Sequence, residues 1–198
     1  MGAYVLGLTG PSGSGKTVVS ALFARHGAYV IDCDLLARRA VEQPEVLRQL
    51  SNCFGEDIIF DGALNRKLLA KRAFCSRDNV NLLNKITHPV VLRLLEQDIK
   101  KANEQGFNLI VMDAPTLIES GADVLCDSYV AVVASKDLRR ERLQKRDKLS
   151  EVDMQSRLKA GHENGFYTKN AQFVIRNNNE PDTLELAVTE ILALIKAV

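Results

Sequence analysis

Five short apolar runs punctuate this chain, and longer stretches with helical spacing separate them. Residues 5–9 (VLGLT) make the first run; residues 29–32, 109–112, 129–133 and 173–175 make the others. Short apolar runs of this kind predict buried strands. Between the first two, Val19, Leu22 and Phe23 recur at helical spacing over residues 16–26, and Gly27 supplies the stop that ends a helix. A strand, a helix and a second strand in that order predict a parallel sheet covered by helices.

Residues 35–105 carry mainly helical spacing. Pro44 suits the first turn of a helix bearing Val46, Leu47, Leu50 and Phe54. Asp61-Gly62 signals a turn. Asn65 can cap a helix bearing Leu68, Leu69 and Phe74, and Leu82, Leu83 and Ile86 follow at the same spacing. His88-Pro89 predicts a break, because a residue before proline avoids the helical region. Val91, Leu94, Leu95, Ile99 and Ala102 form a further stripe, closed by Gly106. The whole stretch reads as a helical insertion between strands. Further on, Ser150-Glu151-Val152-Asp153 has the spacing of a capping box and predicts another helix. Residues 181–198 predict a last one, with Leu184, Ala187, Val188, Ile191, Leu192 and Ile195 on one face.

Composition narrows the classes. The 198 residues suit one domain. With a net charge of +1 there is no global basic surface, so no nucleic-acid partner is expected and any anion site must be a local cluster. Cys33, Cys53, Cys75 and Cys126 lie far apart without a C-x-x-C pair, which argues against a zinc site or a disulfide framework and for reduced thiols. Neither a basic leader nor an apolar run of ~18 residues occurs, so a cytoplasmic chain without a membrane span is expected, as a monomer or small homo-oligomer.

Residues 10–17 read Gly10-Pro11-Ser12-Gly13-Ser14-Gly15-Lys16-Thr17, a full match to G-x-x-x-x-G-K-[ST] in its required setting of strand before and helix after. Glycines let such a loop wrap around phosphates with successive N–H groups pointing inward. The helix N-terminus adds the positive end of its dipole. Lys16 can reach the β- and γ-phosphates of ATP, and the Thr17 hydroxyl can bind Mg²⁺. Ser12, Gly13, Ser14, Gly15, Lys16, Thr17 and Val18 are therefore the expected ATP-binding residues. The loop specifies nucleotide phosphates, not the acceptor.

Four further groups carry candidate chemistry. Asp32 and Asp34 lie where the second strand ends, and ligands of parallel sheets sit beyond strand carboxyl ends. Two residues apart on an extended segment, they would point the same way. One could orient a substrate hydroxyl and the other hold a magnesium water, while Asp34 could equally cap the helix that follows. Asp113 closes the third strand like a Walker B carboxylate, which holds Mg²⁺ often through water; it could also cap a local turn. Residues 136–148 carry seven Lys/Arg against three Asp/Glu. Such a run is commonly a solvated helix face. Its place after the fourth strand suits a lid, with Arg142 and Arg146 reaching ATP and Arg139 and Arg140 solvated. His88 stands beside a proline, structural or substrate-facing.

The sequence resembles the dephospho-CoA kinase family almost end to end. The resemblance rests on GLTGPSGSGKT, VIDCDLLAR, the FGEDI…DGALNRKLLA segment, LNKITHP, DAPTLIE, RRERLQKRD and FVIRNN. It implies transfer of a phosphoryl group from ATP, with Mg²⁺, to the ribose 3′-hydroxyl of dephospho-CoA. It also implies a P-loop NTPase fold of the α/β class, similar to nucleoside monophosphate kinases. The expected core is a five-stranded parallel sheet from residues 1–34, 107–135 and 170–198, with a helical CoA-binding region at 35–106 and a lid at 136–169. By position, Asp34 resembles the catalytic aspartate, joined by Lys16, Arg142 and Arg146. Arg38, Arg66, His88, Pro115 and Leu117 resemble the acceptor side, and Asn177 part of the adenine site. The chain departs from the family's usual pattern at Pro11-Ser12, at Asn179, and at Gly161-His162-Glu163, where a glutamine is usual. A nucleoside monophosphate kinase or another small P-loop kinase is the alternative. A GTPase reading lacks its N-K-x-D, since Asn84-Lys85 continues Ile86-Thr87.

Overall fold

The apolar runs assemble side by side. A computed structural model of the protein describes residues 2–147, 161–178 and 181–196. The chain divides into two compact units, one of Met1–Asp32 with Lys101–Val198 and one of Cys33–Lys100. The first contains strands β1 (Tyr4–Thr9), β2 (Tyr29–Asp32), β5 (Leu109–Asp113), β6 (Ser128–Val133) and β7 (Phe173–Arg176). They form one sheet in the order β2-β5-β1-β6-β7, parallel at every pairing. The crossover from β1 to β2 therefore steps over β5. Helices α1 (Lys16–Arg25), α6 (Lys136–Asp147), α7 (Asn164–Thr168) and α8 (Pro181–Lys196) belong to the same unit.

All six residues of β6 and five of six in β1 are buried, as strands covered on both faces must be. Val19, Leu22 and Phe23 of α1 and Leu184, Val188 and Ile191 of α8 join Leu6, Leu8, Val111, Val130 and Ile175 in one core. The sheet register sets Leu8 opposite Asp113 and Asp113 opposite Asp32. The carboxyl ends of the three neighbouring strands thus lie level, and the loops that leave them share one edge of the sheet.

The second unit holds α2 (Cys33–Ala40), α3 (Pro44–Phe54), a hairpin of β3 (Ile59–Phe60) and β4 (Ala63–Leu64), α4 (Arg66–Ala73) and most of α5 (Arg77–Glu104). Its core gathers Val46, Leu50, Phe54, Ile58, Leu69, Ala73 and Ile86. Pro44 does open α3, and Asn65 caps α4, its side chain accepting from the Leu68 amide at 3.1 Å. Asp61-Gly62 turns the hairpin, both residues at positive φ as a two-residue turn requires. Two expectations fail here. His88-Pro89 does not break a helix, for α5 runs through it as 28 residues. Proline removes one hydrogen bond and frees the Lys85 carbonyl; Lys85 and Pro89 are both exposed, so that carbonyl lies on the solvent side, while Ile86, Leu94 and Leu95 bury the opposite face on either side of the proline. Asp32 and Asp34 also do not share an extended segment. Cys33 already opens α2, so the alternation of a strand does not relate them and Asp34 lies inside the helix's first turn rather than capping it.

Cysteine chemistry follows burial. Burial, with the Asp123 and Asp127 carboxylates nearby, pushes the Cys126 thiol from an ordinary 9.0 up to about 12. The folded protein then keeps a proton that the unfolded chain gives up. That contribution to stability is complete below about pH 9 and is lost as pH rises towards about 12. Cys53 and Cys75 are exposed. A maleimide at about pH 7.5 is expected to modify those two quickly and Cys126 only after unfolding. Peptide mass spectrometry reads the outcome, and rapid labelling of native Cys126 would contradict it.

Candidate active site

Thr9, buried at the end of β1, leads straight into residues 10–17, and Lys16 begins α1. The loop is wound by glycines. Gly13 and Gly15 have φ of +80° and +94°, a region that side chains rarely adopt. The Ser14 amide donates to the Pro11 carbonyl at 3.1 Å, and the Val18 and Val19 amides donate to Gly15 at 3.0 and 3.3 Å, starting the helix. The Lys16 ammonium pairs with the Asp113 carboxylate at the end of β5, each about one-seventh exposed (15% and 14%). Thr17 and Val18 are exposed at the helix start. Ser14 Oγ is buried and has no hydrogen-bond partner among the described residues. A glycine-wound loop, a lysine and a carboxylate thus meet at one edge of the sheet, which is the equipment for binding a polyphosphate.

The loop's carbonyls are gripped from the other side by α6 and by the residue after β7. Arg142 donates to the Ser14 carbonyl at 3.4 Å and to the Asn177 carbonyl and side chain at 3.1 Å each. The Asn177 side-chain amide, buried, donates to the same Ser14 carbonyl at 2.8 Å. Arg139 was expected in solvent and is not: only 4% exposed, it donates from Nε to the Ser12 carbonyl at 2.9 Å. A charge run looks solvated when read as composition, but one face of its helix packs on the loop. The signal was present in spacing, since 139, 142, 143 and 146 fall at i, i+3, i+4 and i+7. Arg146 lies in the last turn of α6 and is exposed. The predicted helix from Ser150 lies outside the described residues.

The loop after β5 is split in its exposure. The Pro115 carbonyl accepts from Thr9 Oγ1 at 3.3 Å, and Pro115 is half-buried. Leu117 is fully buried, and its Cδ2 lies 2.6 Å from where a Cβ on Gly7 would stand, so its side chain belongs to the core of the sheet unit. Near the end of that loop, Glu119 Oε1 is 3.6 Å from His162 Nε2, and the His162 ring stacks on Phe166 at 3.7 Å between centroids.

In the helical unit, Arg38 and Arg66 line a hollow of about 250 Å³ whose other walls include Val41, Leu64, Leu69, Phe74, Leu83 and Thr87. Arg66 donates to the Arg38 carbonyl at 3.3 Å and to the Glu42 carboxylate at 2.5 Å. His88, half-buried, follows Thr87 on α5. The hollow escaped sequence reading because its apolar walls come from four separate elements.

The family profile of dephospho-CoA kinase matches residues 4–182. The chain belongs to that family. A dephospho-CoA kinase of Anaeromyxobacter dehalogenans is 37% identical over 191 residues, covering 96% of this chain and 90% of the relative. Among solved structures, TT1252 of Thermus thermophilus superposes with a TM-score of 0.86 at 30% identity, covering 98% of both chains. A dephospho-CoA kinase of Campylobacter jejuni shares the fold, with a TM-score of 0.71 at 20% identity over 96% of each chain. Membership accounts for the phosphate-binding loop and the parallel sheet together. Among the described residues, no helix is long and apolar enough to cross a membrane.

Proposed function

We propose that this chain transfers the γ-phosphoryl group of ATP to the ribose 3′-hydroxyl of dephospho-CoA, giving coenzyme A and ADP in the cytoplasm. The observation that carries this reading is the family match over residues 4–182, which includes the complete phosphate loop. Residues 12–18 hold the triphosphate, with Lys16 on its β- and γ-oxygens, and Asn177 lies beside the loop on the adenine side. Asp34 orients the 3′-hydroxyl and takes its proton as the new P–O bond forms and the bond to ADP breaks. Arg146 meets charge on the transferring group and excludes water, while Arg142, expected beside it, holds the loop's Ser14 carbonyl instead. Arg38, Arg66, His88 and Pro115 serve the acceptor, while Leu117 supports that loop from the core. A hollow with apolar walls and two arginines suits an acceptor that has both an uncharged arm and a diphosphate.

Thr17 and Asp113 offer a hydroxyl and a carboxylate, both hard oxygen donors. Among the described residues no cluster of three or more His, Cys, Asp or Glu could cage a metal. A donor set this sparse fits Mg²⁺, which takes one or two protein oxygens and the rest from phosphates and water. When bound, Mg²⁺ neutralises charge on the phosphate oxygens. ADP release should be measured with dephospho-CoA, AMP, CMP, UMP and shikimate as acceptors. Turnover is expected with dephospho-CoA, the product gaining one phosphate at the 3′-oxygen. Faster turnover of any of the others would replace this reading with that of another small P-loop kinase.

A further inference from the structure

The phosphate loop carries an anchor outside its own motif. Arg139 is buried in the first turns of α6, and its Nε donates to the Ser12 carbonyl at 2.9 Å. A charged side chain rarely goes under cover to fill space, because an apolar one does so at far lower cost in desolvation. Its burial needs a polar reason, and the Ser12 carbonyl is that reason. Burial draws the guanidinium below its ordinary pKa while Glu163 and Tyr167 oppose the shift, and arginine stays charged throughout the working range.

The peptide plane connects this bond to the ligand side of the loop. A trans peptide is planar, and its C=O and N–H point in opposite directions. Holding the Ser12 carbonyl towards α6 therefore turns the Gly13 N–H the other way. Arg142 and Asn177 do the same to the Ser14 carbonyl, and so to the Gly15 N–H. The glycines that follow these two anchored carbonyls have no room for a side chain. A Cβ on Gly13 would stand 2.7 Å from the Arg139 carbonyl oxygen, and one on Gly15 would run into the Asn177 side-chain nitrogen. The helix is pressed against the loop at Gly13 and Asn177 is pressed against it at Gly15, the places where the loop's amides must be aimed.

We propose that Arg139 is a positioning residue for nucleotide binding: it fixes the Ser12–Gly13 peptide so that the Gly13 N–H faces the phosphates of ATP before the nucleotide arrives. Arg139 does not itself touch the substrate. It rests on the reading of residues 10–17 as the nucleotide site. Preorganised donors cost no reorganisation when charge arrives, so the loss of one anchor weakens the site for ATP and leaves the acceptor alone.

The test compares Arg139→Met and Arg139→Lys with the wild type and with Lys16→Ala, using a fluorescent ATP analogue for affinity, steady-state kinetics for both substrates, and circular dichroism for folding. Arg139→Met removes the donor and keeps an unbranched apolar stem. It is expected to raise the KM for ATP and the Kd of the analogue about tenfold or more, the scale of a hydrogen bond to a charged group. The KM for dephospho-CoA should stay within about twofold. Arg139→Lys restores a cationic donor and should recover at least half of the loss on a logarithmic scale. A folded Arg139→Met that binds ATP like the wild type overturns the proposal. So does an Arg139→Met that melts early with normal ATP affinity, or, where Arg139→Met does not fold, an Arg139→Lys that fails to fold or binds ATP normally, because Arg139 is then only a packing residue. If Arg139→Met does not fold, weakened ATP binding in a folded Arg139→Lys supports the proposal. A wild type that binds the analogue no better than Lys16→Ala overturns instead the nucleotide-site reading on which the proposal stands.

Discussion

Lys16→Ala is expected to lower kcat by at least about 10²-fold, the scale seen when one preorganised charge-stabilising donor is removed. Lys16 opens α1 and pairs with Asp113 at the end of β5, so its ammonium stands at the sheet edge where the proposed function puts the phosphates of ATP. Two consequences of the substitution compete. Chemistry loses a cation that meets the β- and γ-phosphates. Stability loses a pairing and leaves Asp113 without its partner there. A fully buried carboxylate left in that way costs several kcal/mol, but this pair is partly open to solvent, and water takes up part of the loss. The fold should therefore persist, with a melting temperature lowered by no more than a few degrees, while phosphoryl transfer all but disappears. Kinetics beside thermal melts distinguish the two. A folded variant that keeps more than about a tenth of the wild-type kcat would remove Lys16 from the nucleotide site.

What the sequence disclosed depended on how local each signal was. Strands β1, β5 and β6 are legible because each is an unbroken apolar run, and the ends of α3 and α4 because Pro44 and Asn65 act on their own neighbours. The phosphate loop is the extreme case, since eight contiguous residues contain both its shape and its chemistry. Sheet order is not local: nothing in β2 states that β5 lies between it and β1. Strands β3 and β4 are two residues each, too short for alternation to show. Pro89 misleads because a local rule meets a tertiary one, and burial of Ile86 on one side and Leu94 and Leu95 on the other holds one helix together through it. Arg139 misleads for a similar reason. Composition calls residues 136–148 a solvated run, whereas the loop takes two of its arginines onto backbone carbonyls.

Asp34→Asn is expected to bind ATP and dephospho-CoA nearly as the wild type does and to lose at least ~10²-fold in kcat, within the range for removal of a general base. The competing account is structural. Asp34 is exposed in the first turn of α2, where an acidic group favours the helix by about 0.3–1 kcal/mol through the dipole. Losing that much would move the melting temperature by only a few degrees in a chain of this size. Asparagine keeps the size of the side chain and its ability to bond the helix amides, but not the negative charge that draws the hydroxyl proton. The magnitudes therefore decide: a helix-terminus role is worth less than tenfold in any equilibrium, whereas a catalytic role exceeds it by an order of magnitude or more. Asp32→Asn is the matched control, since Asp32 ends β2 rather than standing in the helix, and it should lose less. Steady-state kinetics of both variants, with their melting temperatures, give the answer. Normal turnover by Asp34→Asn, or loss of activity only through unfolding, would make the carboxylate a helix-terminal group and pass the role of base to Asp113.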